Sequence, residues 1–212
     1  MIDARLHLAL DGGGLELPAE GTIAVFQPPR DSDLPGLDKD RVQIIHGFKP
    51  DYDAWAARGY NVVRTIKDRY AACIVCLPRA KAEARAVIAA ACEVCDGIVV
   101  IDGQKTDGAD SVLREMRDRV TVQGPISKAH GKMFWISEPA AEFFTDWRQG
   151  PELTEGGFWT APGVFSADGV DLASALLVDA LPEKLGAEVA DLGAGWGFLS
   201  AHALTRPAIK NL

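Results

Sequence analysis

Apolar and polar positions divide the chain into short blocks, most of them with the period of a strand or of a helix. Near the start, Leu6, Leu8 and Leu10 alternate with His7 and Ala9, which predicts a strand ending at the turn of Asp11, Gly12, Gly13 and Gly14. Residues 22–27 (Thr-Ile-Ala-Val-Phe-Gln) read as a buried strand closed by Pro28 and Pro29, and residues 42–45 as another. A helix is expected over 51–58, with Gly59 as its stop. The next unit is clearer. An apolar strand at 73–77 meets Pro78, an alanine-rich helix runs over 79–94, and a second buried strand occupies 97–102. Strand, amphipathic helix and strand in that order form the pattern of a parallel βαβ unit. Beyond it the pattern predicts a helix over 110–118, a strand over 120–123, a basic loop over 127–132 and a strand over 133–136.

From 139 to 157 the character changes. Phe143, Phe144 and Trp147 fall on one helical stripe, broken by Gln149, Gly150 and Pro151. A second α/β unit follows, with a helix over 170–180, a strand over 188–191, a glycine loop and a helix from Trp196. The fold class is therefore α/β. Residues 1–137 are expected to form one domain, 138–157 a linker with a short helix, and 158–212 the start of a second domain. No internal repeat or low-complexity tract is present.

Composition narrows the class. With 48% hydrophobic and 25% charged residues, the 212-residue chain can bury a core. No run of about 18 apolar residues exists, so a membrane span is not expected. Residues 1–7 lack the layout of a secretory signal, and a cytoplasmic protein is the simplest reading. The net charge of −8 argues against a broadly basic nucleic-acid binder but leaves room for a local patch. Lys128, His130 and Lys132, beside Trp135, are the candidates for phosphate contact, with a solvated loop as the plainer alternative. Cys73, Cys76, Cys92 and Cys95 have the spacing of a four-cysteine zinc site. The first two lie on an expected strand, where positions three apart face opposite ways, so core packing is the better reading and no metal is expected.

The segment 189–200 (Val-Ala-Asp-Leu-Gly-Ala-Gly-Trp-Gly-Phe-Leu-Ser) carries the chemistry. An apolar strand ends in Asp191, and Gly193, Gly195 and Gly197 alternate before a helix. Glycines let the main chain turn sharply and bring its amides against a ligand with no β-carbon in the way. In open α/β sheets such a ligand lies at the carboxyl ends of the strands. The spacing is Gly-x-Gly-x-Gly, with Gly197 one residue early for the dinucleotide pattern. An ordinary tight strand-to-helix turn is the alternative.

Taken with residues 162–166 (Pro-Gly-Val-Phe-Ser) and with Asp168 and Gly169, this stretch resembles the ribosomal RNA guanine-N2 methyltransferases of the methyltransferase small domain family. The resemblance is tight over 157–200. It is looser at 105–108 (Lys-Thr-Asp-Gly) and over the basic loop at 127–132. It implies a degenerate, Rossmann-like methyltransferase domain without cofactor, followed by the start of a class I methyltransferase domain that binds S-adenosylmethionine. By position, Asp191, Gly193, Ala194, Gly195 and Gly197 match the motif that wraps the methionine part of the cofactor. Phe165, Ser166 and Asp168 match the segment lying over it; their plainer readings are a core phenylalanine, a capping serine and a capping aspartate before the helix at 170. Trp196 stands at a variable position and is expected to cover the apolar core.

The family's ribose-binding acidic residue and its Asn-Pro-Pro-aromatic motif have no counterpart in these residues. The catalytic residues are therefore expected beyond Leu212, and the chain is expected to be an inactive piece of a longer protein. The implied partner is ribosomal RNA or a ribosomal subunit, with a guanine turned out of its stack to reach the site. Two other functions remain open: methyl transfer to a small molecule or protein, and a non-catalytic docking domain. The oligomeric state is open as well.

Overall fold

In the computed structural model, which describes residues 2–139 and 141–212, the central strands are apolar without alternation because both faces of their sheet are covered. The strands are β1 (Ile23–Phe26), β2 (Val42–Ile45), β3 (Asn61–Val63), β4 (Tyr70–Cys76), β5 (Cys95–Gln104), β6 (Gln123–Lys128) and β7 (Gly131–Ile136). They are ordered β3-β2-β1-β4-β5-β7-β6, parallel from β3 to β5, with the β6–β7 hairpin antiparallel at one edge. One face is covered by α3 (Lys81–Val94), α4 (Ala109–Arg117) and a 3-10 helix (Ala141–Trp147); the other by α1 (Ile2–Leu10) and α2 (Lys49–Ala57). The chain forms two compact units, Met1–Arg148 and Gln149–Leu212.

The first segment is a helix, not the strand its alternating leucines suggest. Its buried residues are Ile2, Arg5, Leu6 and Ala9, a stripe of helical period, while Leu8 is 40% exposed. Alternation over five residues fits both periods, and a polar-looking arginine at the decisive position hides the longer one. The strand expected over 120–123 starts at Gln123 instead. The N–H groups of Arg119 and Val120 bond to the Met116 carbonyl, so the end of α4 already occupies that backbone. The expected basic loop becomes the end of a hairpin: Lys128 closes β6, Ala129 and His130 turn with φ of 49° and 57°, and Lys132 lies in β7. In the expected linker, Phe144 and Trp147 are buried in the first unit's core, whereas Phe143 is exposed and leaves the stripe.

The cysteines divide as strand geometry requires. Cys73 packs with Cys92 and Cys95 on the α3 face, and Cys76 on the opposite one. Burial pushes the Cys92 thiol up to about 12 and that of Cys76 well above its usual value. The bond to Cys95, together with burial, raises Cys73 as well. Thiols kept protonated in this way are poor nucleophiles and poor metal ligands.

His46, buried at the end of β2, accepts the Phe48 N–H on Nδ1 at 3.2 Å and turns Nε2 towards Asp51 at 3.4 Å. Burial lowers its pKa below the usual 6.5, and Asp51 opposes that only in part. The unfolded chain therefore takes up the proton more readily than the folded one, so stability falls as pH drops through about 6.5. Urea unfolding of wild type should show a lower midpoint at pH 5.5 than at pH 7.5. In His46→Gln that difference should shrink; an unchanged difference would place the titration elsewhere.

The second unit holds a short hairpin, β8 (Glu152–Leu153) with β9 (Trp159–Thr160), and the helices α5 (Leu172–Ala180) and α6 (Phe198–Ala203). Among the described residues, the strand expected over 188–191 is reduced to one bridge between Glu188 and Asn211. Ala203 is the sole buried hydrophobic residue described in this unit, and Leu172, Leu176 and Leu192 stand in solvent. Among the described residues no helix is long and apolar enough to cross a membrane.

Candidate functional site

The glycine loop adopts the backbone its composition demands. Gly193, Gly195 and Gly197 have φ of 83°, 58° and 90°, a left-handed region that side-chain-bearing residues rarely enter. The N–H of Gly197 bonds to the Ala194 carbonyl at 2.9 Å, closing the turn from which α6 starts. A β-carbon placed on Gly193 or Gly197 would meet no atom within 4 Å. The space before the loop is therefore open, and the chain itself does not need these glycines for close packing. Asp191 is half-buried, and one carboxylate oxygen accepts the Ser200 hydroxyl at 2.7 Å. Nine residues separate the two, and no periodic pattern in the sequence marks Ser200 for this role.

A second loop faces the first. Ser166 has a φ of 54° and donates its hydroxyl to the Gly169 carbonyl at 2.8 Å. Thr160 donates to the Ala167 carbonyl at 2.9 Å, tying the turn to β9. The cap of α5 is Asp171, whose carboxylate accepts the Ser174 N–H at 2.8 Å; neither Ser166 nor Asp168 caps it. Phe165 is 69% exposed, so it is no core residue.

Between the loops lies a cavity of about 140 Å³, lined among others by Phe165, Ser166, Gly193, Ala194, Gly195 and Trp196. It thus gathers five of the residues singled out in the sequence for the cofactor and its cover, and adds Trp196. Asp191, Gly197 and Asp168 lie outside its lining, and Asp168 is exposed. Trp196 does not cover a core; it packs edge-on to Phe158 at 4.9 Å and against Phe198 at 5.6 Å.

The first unit differs at the equivalent place. Its sheet reverses strand order beside β1, where an open α/β sheet binds its ligand. There β1 runs into Gln27, Pro28 and Pro29 instead of glycines. Gln27 donates to Glu83 at 3.0 Å, and the Trp55 indole donates to the Pro28 carbonyl at 2.9 Å, so the chain's own side chains hold that edge. The basic residues lie elsewhere, around a cavity of about 330 Å³ between the β6–β7 turn and the start of α4. Lys132 pairs with Asp110 at 2.5 Å, while Lys128 and His130 are exposed.

Comparison with known proteins adds to this geometry. Residues 155–211 match the family model of the methyltransferase small domain. Ribosomal RNA small subunit methyltransferase C of Erwinia tasmaniensis is 42% identical over 74 residues, 34% of this chain and 20% of that protein. Its namesake from Serratia proteamaculans is 30% identical over 105 residues, 49% of this chain and 30% of that protein. The matches thus span less than a third of these relatives' length. A 16S rRNA N2 methyltransferase of T. thermophilus, solved with AdoMet and guanosine, superposes with a TM-score of 0.70 at 23% identity, covering 97% of this chain and 61% of that one. That likeness shows the fold, and the sheet of the first unit is Rossmann-like.

Proposed function

We propose that residues 158–212 begin the catalytic domain of an S-adenosylmethionine-dependent methyltransferase, and that the complete protein methylates the exocyclic N2 of a guanine in ribosomal RNA. The observation that carries the reading is the left-handed glycine loop with open space before it, set beside the 165–169 turn, within the family-matched segment. Bound there, the cofactor supplies an electrophilic sulfonium methyl group. Gly193, Ala194 and Gly195 would present backbone amides to its methionine part, Asp191 would orient that part from one side, and Phe165 would cover it from the other. Asp168 and Gly197 complete the segment without lining the cavity. The chain's share of catalysis is positioning and exclusion of water more than acid–base chemistry.

The acceptor is inferred from the relatives' names and from the guanosine found with the T. thermophilus protein. The first unit serves in this reading as a degenerate domain without cofactor, because Gln27, Pro28 and Pro29 replace the glycine turn. Its exposed Lys128 and His130, with Lys132 beside them in an ion pair with Asp110, would face RNA phosphate in this reading. A cytoplasmic location belongs to the same reading. The net charge of −8 favours, as a second reading, a small-molecule or protein acceptor.

The complete protein should bind S-adenosylmethionine in a calorimetric titration and transfer a labelled methyl group to small-subunit RNA lacking the modification. Binding without transfer to RNA, but with transfer to another acceptor, would select the second reading. Absence of binding would remove both.

A further inference from the structure

Between Gly193 and Gly197, Trp196 is the one bulky residue, and the structure gives it a specific contact. Its indole N–H donates to the carbonyl oxygen of Phe165 at 3.0 Å, across 31 residues of sequence. The ring has little freedom to point elsewhere. It is held between Phe158 and Phe198, with centroids at 4.9 Å and 5.6 Å, and Phe198 is backed in turn by His202 at 4.4 Å. Left-handed Gly195 and Gly197 flank it and fix the direction in which the side chain leaves the loop.

The turn it reaches is rigid within itself but weakly attached. Ser166 is bonded to Gly169 through both backbone and hydroxyl, so residues 165–169 move as one piece. No buried hydrophobic side chain anchors them, and Phe165 itself is exposed. Among the described residues, Thr160 to Ala167 is the other side-chain hydrogen bond that joins this turn to the rest of its unit. Both partners of the Trp196 bond also line the 140 Å³ cavity.

We infer that Trp196 is a positioning residue, whose indole N–H holds the 165–169 turn against the glycine loop at the separation that takes the cofactor. The inference rests on the reading of this cavity as the S-adenosylmethionine site. Trp196 touches the turn's backbone and acts through it. The effect should therefore appear in cofactor affinity, and least in the stability of the ligand-free protein.

The test is Trp196→Phe in the complete protein. Phenylalanine keeps an aromatic ring to pack against Phe158 and Phe198, and removes the N–H together with part of the indole's surface. Loss of one neutral hydrogen bond should weaken S-adenosylmethionine and S-adenosylhomocysteine about 3- to 10-fold in a calorimetric titration. The free protein's Tm should stay within about 2 °C, as surface changes away from a core usually do. Amide exchange over 163–170 should be slowed by cofactor in wild type and less so in the variant. Equal affinities for wild type and variant would overturn the inference and leave the cofactor site standing. A loss of affinity matched by a loss of the free protein's stability would assign the contact to folding and overturn it too. If wild type itself binds no cofactor, the reading of the site fails and the inference with it.

Discussion

Asp102→Ala should destabilise the first unit by about 3–5 kcal/mol, a large fraction of the roughly 5–15 kcal/mol that holds a domain folded. Asp102, at the end of β5, receives Arg5 from α1 through two hydrogen bonds, Nε at 2.5 Å and Nη2 at 2.8 Å. The two residues are 4% and 1% exposed. Burial raises the Asp102 carboxyl above the usual range, and the hydrogen bonds and charge of Arg5 oppose that in part. Truncating the aspartate leaves a buried guanidinium with no counter-charge. The third donor of Arg5, Nη1, goes to the Lys128 carbonyl at 2.9 Å, tying α1 to the β6–β7 hairpin as well. The damage should therefore spread to the hairpin that presents Lys128 and His130. Urea unfolding followed by circular dichroism measures the loss. Arg5→Met combined with Asp102→Leu should recover most of it, since removing both charges removes the desolvation cost along with the attraction. A cost below about 1 kcal/mol for the single change would mean that water reaches the pair, as at an exposed ion pair.

That ion pair also shows where sequence reasoning stops. The parallel core was legible because β1, β4 and β5 are continuous apolar runs punctuated by prolines and glycines, and the helix between β4 and β5 is long enough to show its period. Segment 2–10 was misread because its inward residues include Arg5, whose partner lies 97 positions away and leaves no local mark. The packing of the segment expected as a linker was hidden for a similar reason. Phe144 and Trp147 look like a linker's stripe until α3 and Arg119 are seen to enclose them, the guanidinium lying 4.7 Å from the indole centre. At the candidate site, the left-handed positions of the loop were visible, because glycine is itself the signal. Residues that act by reaching across loops, Ser200 to Asp191 and Trp196 to Phe165, were not.

The strongest test of the site uses that same distinction between backbone shape and occupied space. Gly195→Val should weaken S-adenosylmethionine binding by the complete protein on the order of 100-fold. Two costs combine. A β-branched residue at a φ of 58° is strained by roughly 1–2 kcal/mol, which the free loop sheds by relaxing and must restore to bind, and the new side chain stands at the cavity wall where a ligand would approach the backbone, at a further cost of about 1–2 kcal/mol. Gly157→Val separates these terms. Gly157 has a similar left-handed φ of 81° and open space around it, but it lies in the β8–β9 turn, outside the cavity lining. It should bring comparable backbone strain and leave cofactor affinity within about 2-fold of wild type, as expected of a change remote from the contact. If both substitutions abolish binding equally, the second unit is failing to fold and the glycine loop is not specifically the binding surface. If Gly195→Val binds as wild type does, the cofactor does not approach this loop. Loss at Gly195 alone, with the unfolding of the first unit unchanged, is what a backbone cradle for the cofactor requires.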